Sequence, residues 1–165
     1  MKIRQTSTDK IRGKLVKYQL GDCLAIKLNS GDYIGGIMTG KFNKYYNLTF
    51  MEFQKDVKPT LEDFTYGRFF GTRFGSLEDI TYAVDQRMVQ CNYIDNCLDI
   101  ESIGNLNLIP DFISAGYTYL NDIDEMNKYY LDELPIRIEK TRNADKFPEI
   151  GFVSKHLILT RHIIE

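Results

Sequence analysis

The stretch GDCLAIKLNSGDYIGGIMTG, Gly21 to Gly40, decides how the chain is read. Its glycines belong either to a phosphate cradle or to a folded sheet. Leu24, Ile26 and Leu28 alternate with Cys23, Ala25 and Lys27, the two-residue period of a strand with one well-buried face. Asn29-Ser30-Gly31-Asp32 supply residues suited to a turn, and YIGGIMTG resumes extended structure, which predicts a β-hairpin with a loop of about four residues. A P-loop needs a lysine followed by Ser or Thr, and here Gly40-Lys41 is followed by Phe42. A dinucleotide fingerprint opens a helix, whereas these glycines sit within strand-type alternation, where glycine marks a bulge or close packing.

Outward from the hairpin the same style continues. In KYYNLTFMEF, Tyr46, Leu48 and Phe50 face one way and Asn47, Thr49 and Met51 the other, which adds a third strand to a meander. KDVKPTLEDF, with Pro59 and clustered charges, reads as a loop. TYGRFFGTRFGS reads as a bent strand, DITYAV and RMVQCNYI as two short strands around Asp85-Gln86, and SIGNLNLIP as another. NDIDEMNKYYLDELP breaks the pattern: Ile123, Met126, Tyr130, Leu131 and Leu134 have helical spacing, Asp122 and Glu125 form a capping box, and Pro135 ends the run. FVSKHLILTRHII reads as a closing strand, with a buried helix the alternative. The expectation is a mostly β (α+β) single domain over residues 1–165. Its core would be a strongly curled antiparallel sheet or small β-barrel, with one amphipathic helix near 122–134.

Composition bounds what the chain can do. Its 165 residues are 43% hydrophobic, enough for one self-supporting core. The first residues carry charge but no apolar leader, and no window reaches the ~20 apolar residues of a membrane span, so a cytoplasmic protein with no membrane partner is expected. Cys23, Cys91 and Cys97 are odd in number and lack metal-ligand spacing. His156 and His162, if on one strand, stand ~20 Å apart, too far to share an ion. The adjacent acids Glu62-Asp63 and Glu78-Asp79 would point to opposite strand faces rather than form a dyad. No catalytic residue, metal site or cofactor is therefore expected.

Charge is the informative signal. Formal net charge is -2, yet Met1 to Lys17 holds six basic residues and one acid, while Glu78 to Leu134 holds twelve acids against Arg87 and Lys128. A dipole of this kind acts on encounter with partners. Within the acidic stretch, Tyr93, Asp95, Asp99, Glu101, Tyr117, Tyr119, Asp124, Glu125, Tyr129, Asp132 and Glu133 form the candidate partner-binding set. Carboxylates steer a basic partner and tyrosines provide large anchors at low entropy cost. A nuclease is a basic partner of special interest, because carboxylates can occupy the subsites built for phosphates. Two alternatives remain: a nucleic-acid or regulatory module using the basic N-terminal arm and the Phe-rich GRFFGTRFG, and an enzyme of unrecognised type.

Gly21, Asp22, Leu24, Ala25, Ile26, Leu28, Gly31, Tyr33, Gly35, Gly36 and Ile37 together resemble the signature of the immunity protein 26 family of bacterial polymorphic toxin systems. Ile103-Gly104-x-Leu106-x-Leu108 resembles that family's later strand. The chain departs from the pattern with Lys27 where a Pro is frequent and in having no Trp. The resemblance implies a non-enzymatic, mostly β protein that binds and neutralises a cognate toxin, with no catalytic residues to carry over.

Overall fold

The computed structural model describes residues 10–11, 14–15, 17–74, 81–109, 113–120, 128–133, 135–136, 139 and 154–165. After a small hairpin of β1 (Lys10–Ile11) and β2 (Lys14–Leu15), the meander runs through β3 (Asp22–Lys27), β4 (Tyr33–Phe42) and β5 (Tyr45–Lys55). β3 and β4 pair antiparallel from Cys23↔Ile37 to Lys27↔Tyr33, as the alternation predicts. The loop between them is closed by the Leu28 amide on the Asp32 carbonyl and the Gly31 amide on the Leu28 carbonyl. Asn43, at φ 54, makes the tight turn into β5, a conformation Asn tolerates better than other residues with side chains.

One expectation changes here. β3 is buried on both faces, not one. Leu24 and Ile26 join an inner cluster with Ile34, Met38, Tyr46, Leu48 and Phe50. Cys23 joins a second cluster on the other face with Ile37, Met51, Phe64, Phe69 and Ile158. Small apolar residues such as Cys23 and Ala25 look neutral beside Leu and Ile, so alternation alone understates how much is covered.

The sheet turns on β5. Between the pairs Ile34↔Gln54 and Gly36↔Phe50, three β5 residues oppose the single Gly35. A Cβ on Gly35 would lie 2.5 Å from the Phe53 ring and 2.8 Å from the Phe64 ring, so glycine lets both rings settle on the β4 backbone. There the two rings meet edge to face at 5.4 Å. At this bend Met51 pairs with Phe69 of β6 (Arg68–Phe74), while Tyr45 to Leu48 pair with Gln90 to Arg87 of β7 (Thr81–Gln90). β6 and β7 also pair antiparallel. Three strands cannot all be mutually antiparallel in a flat sheet, so they must bend sharply, and the sheet curls around the inner cluster.

β7 is one ten-residue strand where two short ones are read from sequence, and it runs directly into α2 (Cys91–Asn96). Cys91 and Ile94, one helical turn apart, both enter the inner cluster, and this burial favours a helix over continued strand. The expected loop at KDVKPTLEDF contains the short helix α1 (Leu61–Thr65), whose Phe64 is fully buried. Its N-terminus is held by the Thr60 amide donating to Asp63 Oδ2 at 2.7 Å. β8 (Ile100–Asn105) flanks β3, and β9 (Ile113–Leu120), a segment the sequence reading leaves unassigned, runs parallel to β7. β10 (Ser154–Leu159) pairs with β6 and ends in a 3₁₀ turn, Thr160–His162, so the closing run is a strand. Of the expected helix near 122–134, the described part is Lys128 to Glu133, with Tyr129–Glu133 wound as a π-turn.

The result is a mostly β domain in which the described residues form eight strands of one sheet, antiparallel except for the β7–β9 pair. Among the described residues no pairing joins β10 to β8, and Tyr18 and the α2 residues Cys91 and Ile94 pack into the inner cluster.

Gly21 ties two parts of this frame together. Its amide donates to the Met38 carbonyl and its carbonyl accepts from Leu106, both at 2.8 Å, with φ at 86. An added Cβ would collide with the Leu106 carbonyl oxygen. Gly21→Ala is expected to cost about 3 kcal/mol, backbone strain plus displacement of the chain at Leu106. Gly31→Ala also has positive φ but meets nothing within 4 Å, and should cost about 1 kcal/mol. Urea denaturation of the two variants checks this, and equal losses would remove the role given to the Gly21 crossing.

Candidate functional site

The acidic and aromatic candidates fall into two groups, placed on different edges of the sheet. The first gathers at α2 and β8. Tyr93 is half-buried and packs against the inner cluster. The Asp95 carboxylate accepts a 2.6 Å hydrogen bond from the Tyr46 hydroxyl, and the Tyr46 oxygen in turn accepts from the backbone amides of Lys17, at 3.0 Å, and Tyr18, at 3.2 Å. The Tyr18 hydroxyl donates to the Ile100 carbonyl at 3.3 Å. One chain of hydrogen bonds therefore pins the segment at Lys17 and Tyr18 that leads into the meander, α2 and β8 to each other. Burial pushes the Tyr18 hydroxyl up to about 12, with Asp95 adding to the shift, and burial together with Asp95 also raises Tyr46, so both donate as neutral phenols. Asp99 is exposed, with its carbonyl accepting from the Lys27 amide, and Glu101 is exposed in an ion pair with Lys58.

The second group lies at the end of β7 and β9. Tyr119 is 58% exposed and stacks edge-on against Tyr45, with ring centroids 5.3 Å apart. Tyr45 stands opposite Phe42 at the β4–β5 turn, and Phe42 is 68% exposed. Lys44 Nζ sits 5.8 Å from the Tyr45 ring centroid. Asp132 and Glu133 are exposed on the π-turn, and Glu133 Oε2 lies 3.6 Å from Nη2 of the buried Arg87. Arg87 shares a strand face with Val89 of the inner cluster and stands beside Thr118. The acidic turn thus rests on the inner side of β9, while Tyr119, paired with Met88, lies on the outer side.

Tyr117 is opposite Gln86 in the β7–β9 register, and Tyr129 is in the π-turn. Asp124 and Glu125 lie outside the described residues. Phe42, Tyr45 and Arg87 are absent from the sequence-based set. The signal for the first two was an Asn-centred turn flanked by aromatics, since a tight hairpin tip leaves its flanking rings little to pack against.

Other chemistries find little to work with among the described residues. Burial raises the thiols of Cys23 and Cys91 to about 12, so they stay protonated and unreactive near neutral pH. No group of three His, Cys, Asp or Glu side chains there could hold a metal ion, and no helix there is long and apolar enough to cross a membrane. Phe69 and Phe70 of the Phe-rich strand are buried in the two clusters, which removes them as stacking platforms for bases.

The fold and the surface define a mostly β protein with one curled sheet and two exposed acidic or aromatic regions. No family model, no curated protein and no solved structure matches the chain.

Burial raises the Asp95 carboxyl above the ordinary carboxylate range, opposed by the Tyr46 hydroxyl and by Lys17. A carboxyl raised on folding contributes stability that is complete below its unfolded value and lost as pH rises through its folded value. Asp95→Asn keeps an acceptor for Tyr46 without a buried charge. Its melting temperature is expected to exceed that of the parent at about pH 7, with the gap closing toward about pH 4. A gap that is constant with pH would show that the Asp95 charge carries no such cost.

Proposed function

We propose that the chain is an immunity-type protein, acting over residues 1–165 in the bacterial cytoplasm. In this reading it binds and neutralises a cognate toxin, a nuclease, by covering its active site without itself catalysing a reaction. The observation that carries this reading is the aromatic cluster formed by the exposed Tyr119 and Phe42 with the half-buried Tyr45. Clustered exposed rings are the residues that anchor protein interfaces, and Asp132 and Glu133 supply the charge a phosphate-binding cleft attracts. The resemblance of the Gly21 to Met38 stretch to the immunity protein 26 family supports the same reading.

Co-expression with the toxin domain encoded by the adjacent gene tests it. The chain should restore growth and co-purify with that domain. The double variant Phe42→Ala with Tyr119→Ala should weaken the complex by about 2 kcal/mol, roughly thirtyfold in Kd. Asp132→Lys with Glu133→Lys should slow association and flatten its dependence on salt, since surface charges act mainly on the encounter rate. Unchanged affinity and association rate in both variants would exclude this surface as the contact, and lack of protection would remove the toxin assignment.

A further inference from the structure

The outer edge of β8 borders a groove of about 460 Å³ lined by Lys17, Tyr18, Asp22 and four consecutive strand residues, Glu101, Ser102, Ile103 and Gly104. Successive side chains of a strand point to opposite faces, so a groove touching four in a row runs along the backbone edge. Its volume is within the ~300–1,000 Å³ of ordinary ligand sites.

The phase of the hydrogen bonds says which backbone groups face this groove. The Lys27 amide donates to the Asp99 carbonyl at 2.8 Å, which makes that antiparallel pair a bonded one. By alternation Ala25 and Glu101 bond to each other, while Ile100 and Ser102 turn their N–H and C=O away from β3. The Tyr18 hydroxyl agrees with this phase, because it reaches the Ile100 carbonyl from the side away from β3. Ser102 is next in phase, and its N–H and C=O are directed into the groove. Beyond it the register shifts by one at Ile103, a bulge that ends the regular ladder. Among the described residues no strand other than β3 pairs with β8.

Charge selects the occupant. Asp22, buried and bonded to the Gln19 amide and the Asn105 side chain, and Glu101, exposed and paired with Lys58, line the groove with Lys17, and the exposed Asp99 adjoins its Ile100 end, so the acids outnumber the lysines by three to two. We propose that the β8 edge takes up an extended basic segment of a protein partner as an added strand. Ser102 exchanges backbone hydrogen bonds with it, and Glu101 faces its cationic side chains. The inference deepens the proposed function and takes from it only that the partner is a basic protein.

The test uses the full chain with synthetic peptides and needs no toxin. A blocked peptide of alternating lysine and valine should slow hydrogen exchange of the Ser102 amide by about tenfold or more at saturation, as a newly made backbone bond does. The same peptide with a central proline, which cannot donate to a ladder, should lose this effect, and an alternating glutamate and valine peptide should not bind. Glu101→Gln should weaken the lysine peptide several-fold while leaving the melting temperature unchanged, since its exposed pair with Lys58 adds little stability. Unaltered exchange at Ser102, equal binding of the acidic or proline peptide, or protection confined to β9 or β10 would each overturn the proposal. Such a failure would leave the co-expression result standing, and a failed co-expression assay would leave Ser102 protection intact.

Discussion

The bend of β5 opposite Gly35 is the constraint on which the rest of the structure depends. Three residues, Met51 to Phe53, occupy the span that one glycine occupies on β4. This excess length turns β5 out of the meander, so that one end pairs with β7 and Met51 meets Phe69 of β6. The same bend carries Met51 and Phe53 to the second face, where Phe64 of α1 and the chain after β10 complete a core. A side chain at Gly35 would hold the Phe53 and Phe64 rings off the strand and leave that face without its close packing.

Curling the sheet gives it an interior, and the interior decides which acids are structural. Asp95 lies in the stretch whose composition reads as a charged surface, yet its carboxylate accepts from Tyr46 and helps hold the segment at Lys17 and Tyr18. Glu133 leans over Arg87, an inward-facing guanidinium on β7, and so connects the π-turn to the sheet. Asp99, Tyr119 and Asp132 remain on the surface. The charge asymmetry of the sequence therefore resolves into residues that support the frame and residues that stay exposed, and the division follows burial rather than residue type.

The two surface regions differ in character. At β9 the exposed groups are rings on a tight hairpin and an adjoining strand, presenting rigid area. At β8 they are backbone groups and carboxylates along an edge, a template for another strand. Both use features that sheets otherwise suppress, because an unpaired edge and bare aromatic rings favour association.

Much of the frame was legible in local chemistry. The alternation of Leu24, Ile26 and Leu28, the turn residues after them and the run from Tyr46 to Phe50 were enough for the three-stranded meander, since strand period and turn preference are properties of neighbouring residues. The closing strand at Ser154–Leu159 also agrees with that reading. Tertiary structure alone decided that Cys23 and Ala25 are as buried as Leu24, that β7 passes without a break into a helix, and that β9 lies parallel to it. It alone joined Asp95 to Tyr46, forty-nine residues away in the chain, and brought Tyr45 against Tyr119. Period and turn chemistry act over a few residues, whereas burial and pairing depend on which distant segment arrives to cover a face, and no local pattern carries that information.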